Sequence, residues 1–145
     1  MERKTTSELN HEIKSATDIE DYLIKNKENM LRCPLCDHLN MLLATKNISK
    51  VEVIRRSHLE RKYVYQIFSG EKNPSRETLI ALAFGFSLTD VETQTLLKLS
   101  GYRELYARDV RDTVLLFALQ KKKTLLETNE ILYKHDFPLL GSPDK

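Results

Sequence analysis

The stretch Ser49-Lys50-Val51-Glu52-Val53-Ile54-Arg55-Arg56-Ser57-His58-Leu59-Glu60-Arg61-Lys62-Tyr63-Val64-Tyr65-Gln66-Ile67-Phe68-Ser69-Gly70-Glu71-Lys72-Asn73-Pro74-Ser75 holds two helical patterns with almost nothing between them. Ser49 and Glu52 form a Ser-x-x-Glu start signal, in which the hydroxyl accepts an orphan amide and the carboxylate reaches back. Val53, Ile54, Leu59, Val64 and Ile67 supply apolar positions at helical spacing. Helices over 49–57 and 60–69 are each too short to stand alone, so the pattern predicts a tight pair packed on its apolar faces. Phe68 joins the core in this reading. Arg61, Lys62, Tyr65, Gln66 and Ser69 then face outward.

Arg and Gln carry planar forks that match guanine and adenine edges in a DNA major groove. Arg61, Lys62, Tyr65 and Gln66 are therefore the candidate base-reading residues. Ser49, Lys50, Tyr63, Lys72 and Arg76 fall near helix ends or in the following loop, where phosphate contacts are usually made. Tyr63 fits packing on a neighbour equally well. On any other helix Arg61 and Lys62 would be ordinary solvated residues, and only their place in the pair favours a role.

Charge supports the same segment. The 145 residues carry a net charge of +2, with 41% hydrophobic and 30% charged residues, ordinary for a globular protein. The distribution is uneven. Residues 46–76 hold Lys46, Lys50, Arg55, Arg56, Arg61, Lys62, Lys72 and Arg76 against Glu52, Glu60 and Glu71. The flanking segments 1–31 and 77–105 are each acidic on balance. A basic block between acidic ones suits a polyanion.

Outward from this block, helix signals dominate and an all-α fold is expected. Further Ser/Thr-x-x-Glu signals occur at Thr17/Glu20, Thr89/Glu92 and Thr124/Glu127. Apolar stripes and these signals predict helices at about 18–27, 35–46, 49–57, 60–69, 75–86, 89–100, 108–121 and 124–134. Gly70, Gly85 and Gly101 close helical patterns, a place for left-handed backbone. Residues 1–16 and the tail Gly141–Lys145 read as loose. With only 4 Gly and 4 Pro, a sandwich, a barrel or a glycine-rich phosphate loop is excluded. No internal repeat is evident. No apolar run approaches the roughly 20 residues that span a bilayer. The polar start predicts no secretory leader, which together with 2 Cys points to a reducing, cytoplasmic setting.

Residues 49–75 resemble the helix-turn-helix of the phage-repressor-like, or XRE, family of transcriptional regulators. The likeness rests on Ser49-x-x-Glu52, on Tyr65-Gln66-Ile67-x-x-Gly70, and on Asn73-Pro74-Ser75 followed by Leu79 and Leu82. It extends over about residues 35–100. The resemblance implies a five-helix domain that lays its third helix in the major groove, usually as a homodimer on an inverted-repeat operator. It places Arg61, Lys62 and Gln66 where the family reads bases, Lys50 on phosphate, and Ser69 and Lys72 in the loop along the backbone. Three positions depart from the family pattern. His58 stands where Gly is usual at the turn, Ile54 where a small residue is usual, and Glu60 at a cap usually held by Ser or Thr.

Other features invite chemistry less strongly. Cys33 and Cys36, with His38 close by, lack the second ligand pair of a structural zinc site and the strand context of a thioredoxin-like centre. Two small half-buried residues are the simpler reading. Arg108 and Asp112 suit an i,i+4 surface pair. Residues 114–119 are apolar nearly all round, as in a helix buried on several sides. Lys121-Lys122-Lys123 complements a helix dipole.

The expected organisation is a polar segment 1–31 with one short helix, a DNA-binding domain at 32–101, and a C-terminal helical pair within 102–145. The expected function is a non-enzymatic, sequence-specific double-stranded DNA-binding regulator, a repressor without cofactor or metal. The alternative is a protein-interaction module, an antitoxin or adaptor, acting through 102–134.

Overall fold

Side-chain oxygens at helix starts set much of the architecture. The computed structural model describes residues 4–26 and 33–141. Among them lie nine helices and no strand: α1 (Thr6–Ser15), α2 (Ile19–Lys25), α3 (Pro34–Thr45), α4 (Lys50–Ser57), α5 (Arg61–Ser69), α6 (Arg76–Gly85), α7 (Asp90–Leu99), α8 (Val110–Gln120) and α9 (Leu125–Lys134). The fold is all-α. Thr89 and Thr124 make complete capping boxes with Glu92 and Glu127. Ser49 caps Glu52, whose carboxylate turns instead to Arg55 and Arg56. At α2 the cap is Asp18 and not Thr17, because Asp18 accepts from the Glu20 amide. No described helix is long and apolar enough to cross a membrane.

The chain divides into two units, 1–32 and 33–145. The first contains two helices where one was expected. The segment read as loose forms α1, capped by Thr5 onto Glu8 and tied by Lys4 to Glu12. It lacks any buried residue, so it left no apolar stripe to read. Tyr22 of α2 donates its hydroxyl to the Leu9 carbonyl. Lys27, the last residue of the one helix expected in this segment, lies outside the described residues, as do Ser142–Lys145.

The second unit has one continuous core. Leu39, Val53, Val64, Ile67, Leu79 and Leu96 lie in the same cluster as Leu115, Leu132 and Leu140, so the C-terminal helices are part of this unit rather than an appendage. At its centre is α6, every residue of which from Thr78 to Gly85 is buried. Gly85 needs its missing side chain, not left-handed backbone. A Cβ there would stand 2.8 Å from the Val53 carbonyl oxygen and 3.1 Å from Ser57 Cβ. The left-handed residue that ends this turn is Ser87, φ 57°. Lys46 of α3 pairs with Glu92 of α7 at 2.7 Å. Burial acts to raise the Glu92 carboxyl, but hydrogen bonds from Lys46 and the Thr89 amide outweigh it and hold it below the usual range.

A repeat that composition conceals emerges from the hydrogen bonds. The α6–α7 hairpin and its following loop match α8–α9 and its loop at a constant offset of 35 residues, as Thr89 to Thr124. Gln94 brackets the Leu105 backbone with its amide N–H and carbonyl, and Asn129 brackets Leu140 in the same way. Thr93 donates to the Thr89 carbonyl, and Thr128 to that of Thr124. Ser87 and Lys122 share φ 57°. Arg76 donates to the Arg103 carbonyl, and Arg111 to the Pro138 carbonyl. The two hairpins are cross-linked reciprocally, Arg76 to Asp112 and Arg111 to Glu77. Eight of the thirty positions aligned over 76–105 and 111–140 are identical, Arg76/Arg111, Thr89/Thr124, Glu92/Glu127 and Thr93/Thr128 among them, so the residue order carries the repeat although composition does not show it.

These links overturn two expectations. Arg76, expected on phosphate, is only 15% exposed at its side chain. Its guanidinium is spent on the Arg103 and Glu104 carbonyls and on Asp112, which is 2% exposed. For the same reason Asp112 pairs with Arg76 and not with Arg108. Gly141, read as part of a loose tail, packs close to Ser57 and Leu125.

Two stability changes follow. Gly85→Ala is expected to cost about 1–3 kcal/mol by pushing α4 off α6, and an unchanged urea midpoint would contradict that close approach. Arg76→Ala is expected to cost about 3–5 kcal/mol because the buried Asp112 keeps the Tyr106 amide but loses its cation. Adding Asp112→Leu should recover much of that loss in the same denaturation experiment.

Candidate nucleic-acid interface

The α4–α5 pair is built on a three-residue turn, His58-Leu59-Glu60. His58 takes the left-handed conformation at φ 58° and ψ 23° that ends α4, where glycine would be the unstrained choice. Val53 and Ser57 of α4 are buried, as are Val64, Ile67 and Phe68 of α5. Leu59, Ile54 and Tyr63 pack partly against the same core. Glu60 precedes α5 without capping it by a side-chain bond. At the other end Gly70 adopts φ 87°, and the Gly70, Glu71 and Lys72 amides donate back to the Gln66 and Ile67 carbonyls.

Burial of one face leaves the other in solvent. Arg61, Lys62, Ser69 and Lys72 are exposed, and Tyr65 is 36% exposed. Gln66 is half-buried, beside a groove of about 620 Å³ that Tyr63, Lys72 and Asn73 also line. The Arg61 guanidinium lies 5.4 Å from the centre of the Tyr65 ring. Lys50 Nζ sits 5.5 Å from that ring and 5.3 Å from the Phe68 ring. Cations held on ring faces in this way keep their charge at the surface while their stems are ordered.

The remaining candidates separate into groups. Ser49 uses its hydroxyl oxygen as the α4 cap. Ser69 donates its hydroxyl to the Gln66 carbonyl. Tyr63 is half-buried and packs partly against the core. Arg55 and Arg56 form a solvent face around Glu52. The Arg55 guanidinium, joined by Arg56, holds that carboxyl below its ordinary range against an opposing effect of burial.

The cysteines differ from their sequence reading. Cys33 and Cys36 form a disulfide across the first turn of α3. The Cys-x-x-Cys spacing on a helix start brings the two Cα atoms to 5.2 Å, which suits a bridge. Among the described residues no group of three or more His, Cys, Asp or Glu side chains converges. The bridge lies under the end of α5, with Cys36 Sγ 3.6 Å from the Ile67 carbonyl oxygen. No sequence signal could have placed it there, because the two segments meet only in the folded chain.

Comparison with family models, with curated protein sequences and with solved structures gave no match to this chain.

Proposed function

We propose that the protein is a sequence-specific double-stranded DNA-binding regulator of the repressor-like helix-turn-helix type, with α5 as the helix that enters the major groove. One observation carries this reading. A short helix buries Val64, Ile67 and Phe68 and leaves Arg61, Lys62 and Tyr65 in solvent, flanked by Lys50 and Lys72. Arg61, Lys62 and Tyr65 would read base edges, with Gln66 at the margin of the groove-facing surface. Lys50 and Lys72 would neutralise phosphates and make affinity fall with salt, with the loop at Ser69 alongside the backbone. Arg76 has no part in this. The output would be steric, an occupied operator blocking polymerase. A homodimer on an inverted repeat is the arrangement that the resemblance to the XRE family implies.

Selection of bound duplexes from a random library tests this directly. The wild-type chain should recover a consensus, and failure to enrich any sequence would overturn the reading. Arg61→Ala is expected to cost about 1–3 kcal/mol and to relax preference at one base position. Lys50→Ala should weaken all duplexes alike and reduce the salt slope by about one. A consensus altered by Lys50→Ala would assign that residue to base reading instead.

A second reading is favoured by the C-terminal surface. Val110, Phe117, Leu126 and Tyr133 are 67%, 45%, 60% and 75% exposed. Helices α8 and α9 would then dock a protein partner, and the chain would act as an adaptor or antitoxin. Phe117→Ser should abolish co-purification of a partner from the native host under this reading, with the DNA consensus unaffected.

A further inference from the structure

The Cys33–Cys36 bridge is a redox-active group among the described residues that the DNA-binding reading does not use. Its position is specific. Cys33 is the N-cap of α3, and its Sγ accepts the Cys36 amide N–H at 3.2 Å. Cys36 is buried, while Cys33 is half-exposed. Gly70, the left-handed residue that ends α5, is seated on the pair. A Cβ at Gly70 would stand 3.2 Å from Cys36 Sγ and 3.6 Å from Cys33 Sγ. Cys36 Sγ also touches the Ile67 carbonyl, one of the two that receive the closing amide bonds of α5.

We propose that Cys33 and Cys36 are a reversible thiol–disulfide exchange site, with low-molecular-weight disulfides and thiols as co-reactants, whose oxidation state sets the rigidity of the α5 C-terminus. The link from rigidity to DNA affinity rests on the function proposed above. In the reduced protein the Cys33 thiolate is the nucleophile. It is the more accessible of the two, and the Cys36 amide and the α3 N-terminus stabilise its charge. It attacks a small disulfide RSSR, forms the mixed disulfide Cys33–S–S–R and expels RS⁻. The Cys36 thiol loses its proton and attacks the Cys33 sulfur, expelling the second RS⁻ and closing the bridge. Two electrons pass to RSSR, and the two RS⁻ take up the protons as 2 RSH. Excess thiol reverses both steps.

Reduction replaces a covalent bond by two sulfurs that repel to van der Waals contact. The Ile67 carbonyl lies in contact with Cys36 Sγ, and the open Cα face of Gly70 leaves room for the sulfurs only as they stand, so a close-packed contact transmits such a displacement. The bonds from Gly70, Glu71 and Lys72 to Gln66 and Ile67 are the ones that loosen. The same turn carries the loop that begins at Ser69, so the reduced form is expected to hold duplex more weakly.

Amide hydrogen exchange on the full chain, without DNA, gives the first readout. Protein poised in oxidised glutathione should be two mass units lighter than protein in dithiothreitol. Exchange at residues 70–72 should quicken on reduction on the order of tenfold, the equivalent of one net hydrogen bond. The Cys33→Ser/Cys36→Ser variant should match the reduced protein in both buffers. Equal exchange in the two states, or no bridge in oxidised glutathione, overturns the proposal. So does an equal affinity of both states for a selected duplex. If no duplex is selected in either state, the DNA-binding reading falls, and the exchange rates still decide the redox site.

Discussion

The approach of α4 to α6 at Gly85 governs the rest of the second unit. Two helices meet there at backbone distance, with the Val53 carbonyl oxygen 2.8 Å from where a Cβ would stand. Such an approach leaves α4 no freedom to tilt. His58 then turns the chain within three residues, so the direction of α5 follows from that of α4. Every residue that the functional reading uses, from Lys50 to Lys72, inherits its position from this contact. Packing on α6 also explains how two helices too short to persist alone hold a fixed geometry.

The duplicated hairpins tie the central α6 to α8 through two ion pairs. Arg76 and Arg111 each clamp the loop that follows their own hairpin and reach across to an acid on the other. Buried ion pairs of this kind add little net stability against an apolar replacement, but they fix one register between the hairpins. That register brings Gly141 back to Ser57, so the end of the second hairpin braces the turn before α5. Basic residues of similar appearance in the sequence thus serve opposite purposes. Arg76 is structural glue, while Arg61, lying on the Tyr65 ring, and Lys62 are exposed.

Sulfur chemistry meets the same element from the other side. The α3 start places a disulfide beneath the left-handed Gly70 that closes α5. One end of α5 is set by packing and the His58 turn, the other by a bond whose formation depends on surroundings.

Much of this was legible from residue order alone. Helix class, the α4–α5 pair, its buried Val53, Val64, Ile67 and Phe68, and the outward Arg61 and Lys62 all follow from local propensity, caps and a 3.6-residue period, which need only neighbours within one or two turns. Thr17 misled because Asp18 is the better-placed acceptor one residue on. The fate of Arg76, the pairing of Asp112, the seat of Gly85 on Val53 and the disulfide under Gly70 were decided by tertiary structure. Each joins groups far apart in the chain, and neither charge nor periodicity states which distant carbonyl, carboxylate or sulfur a side chain will meet.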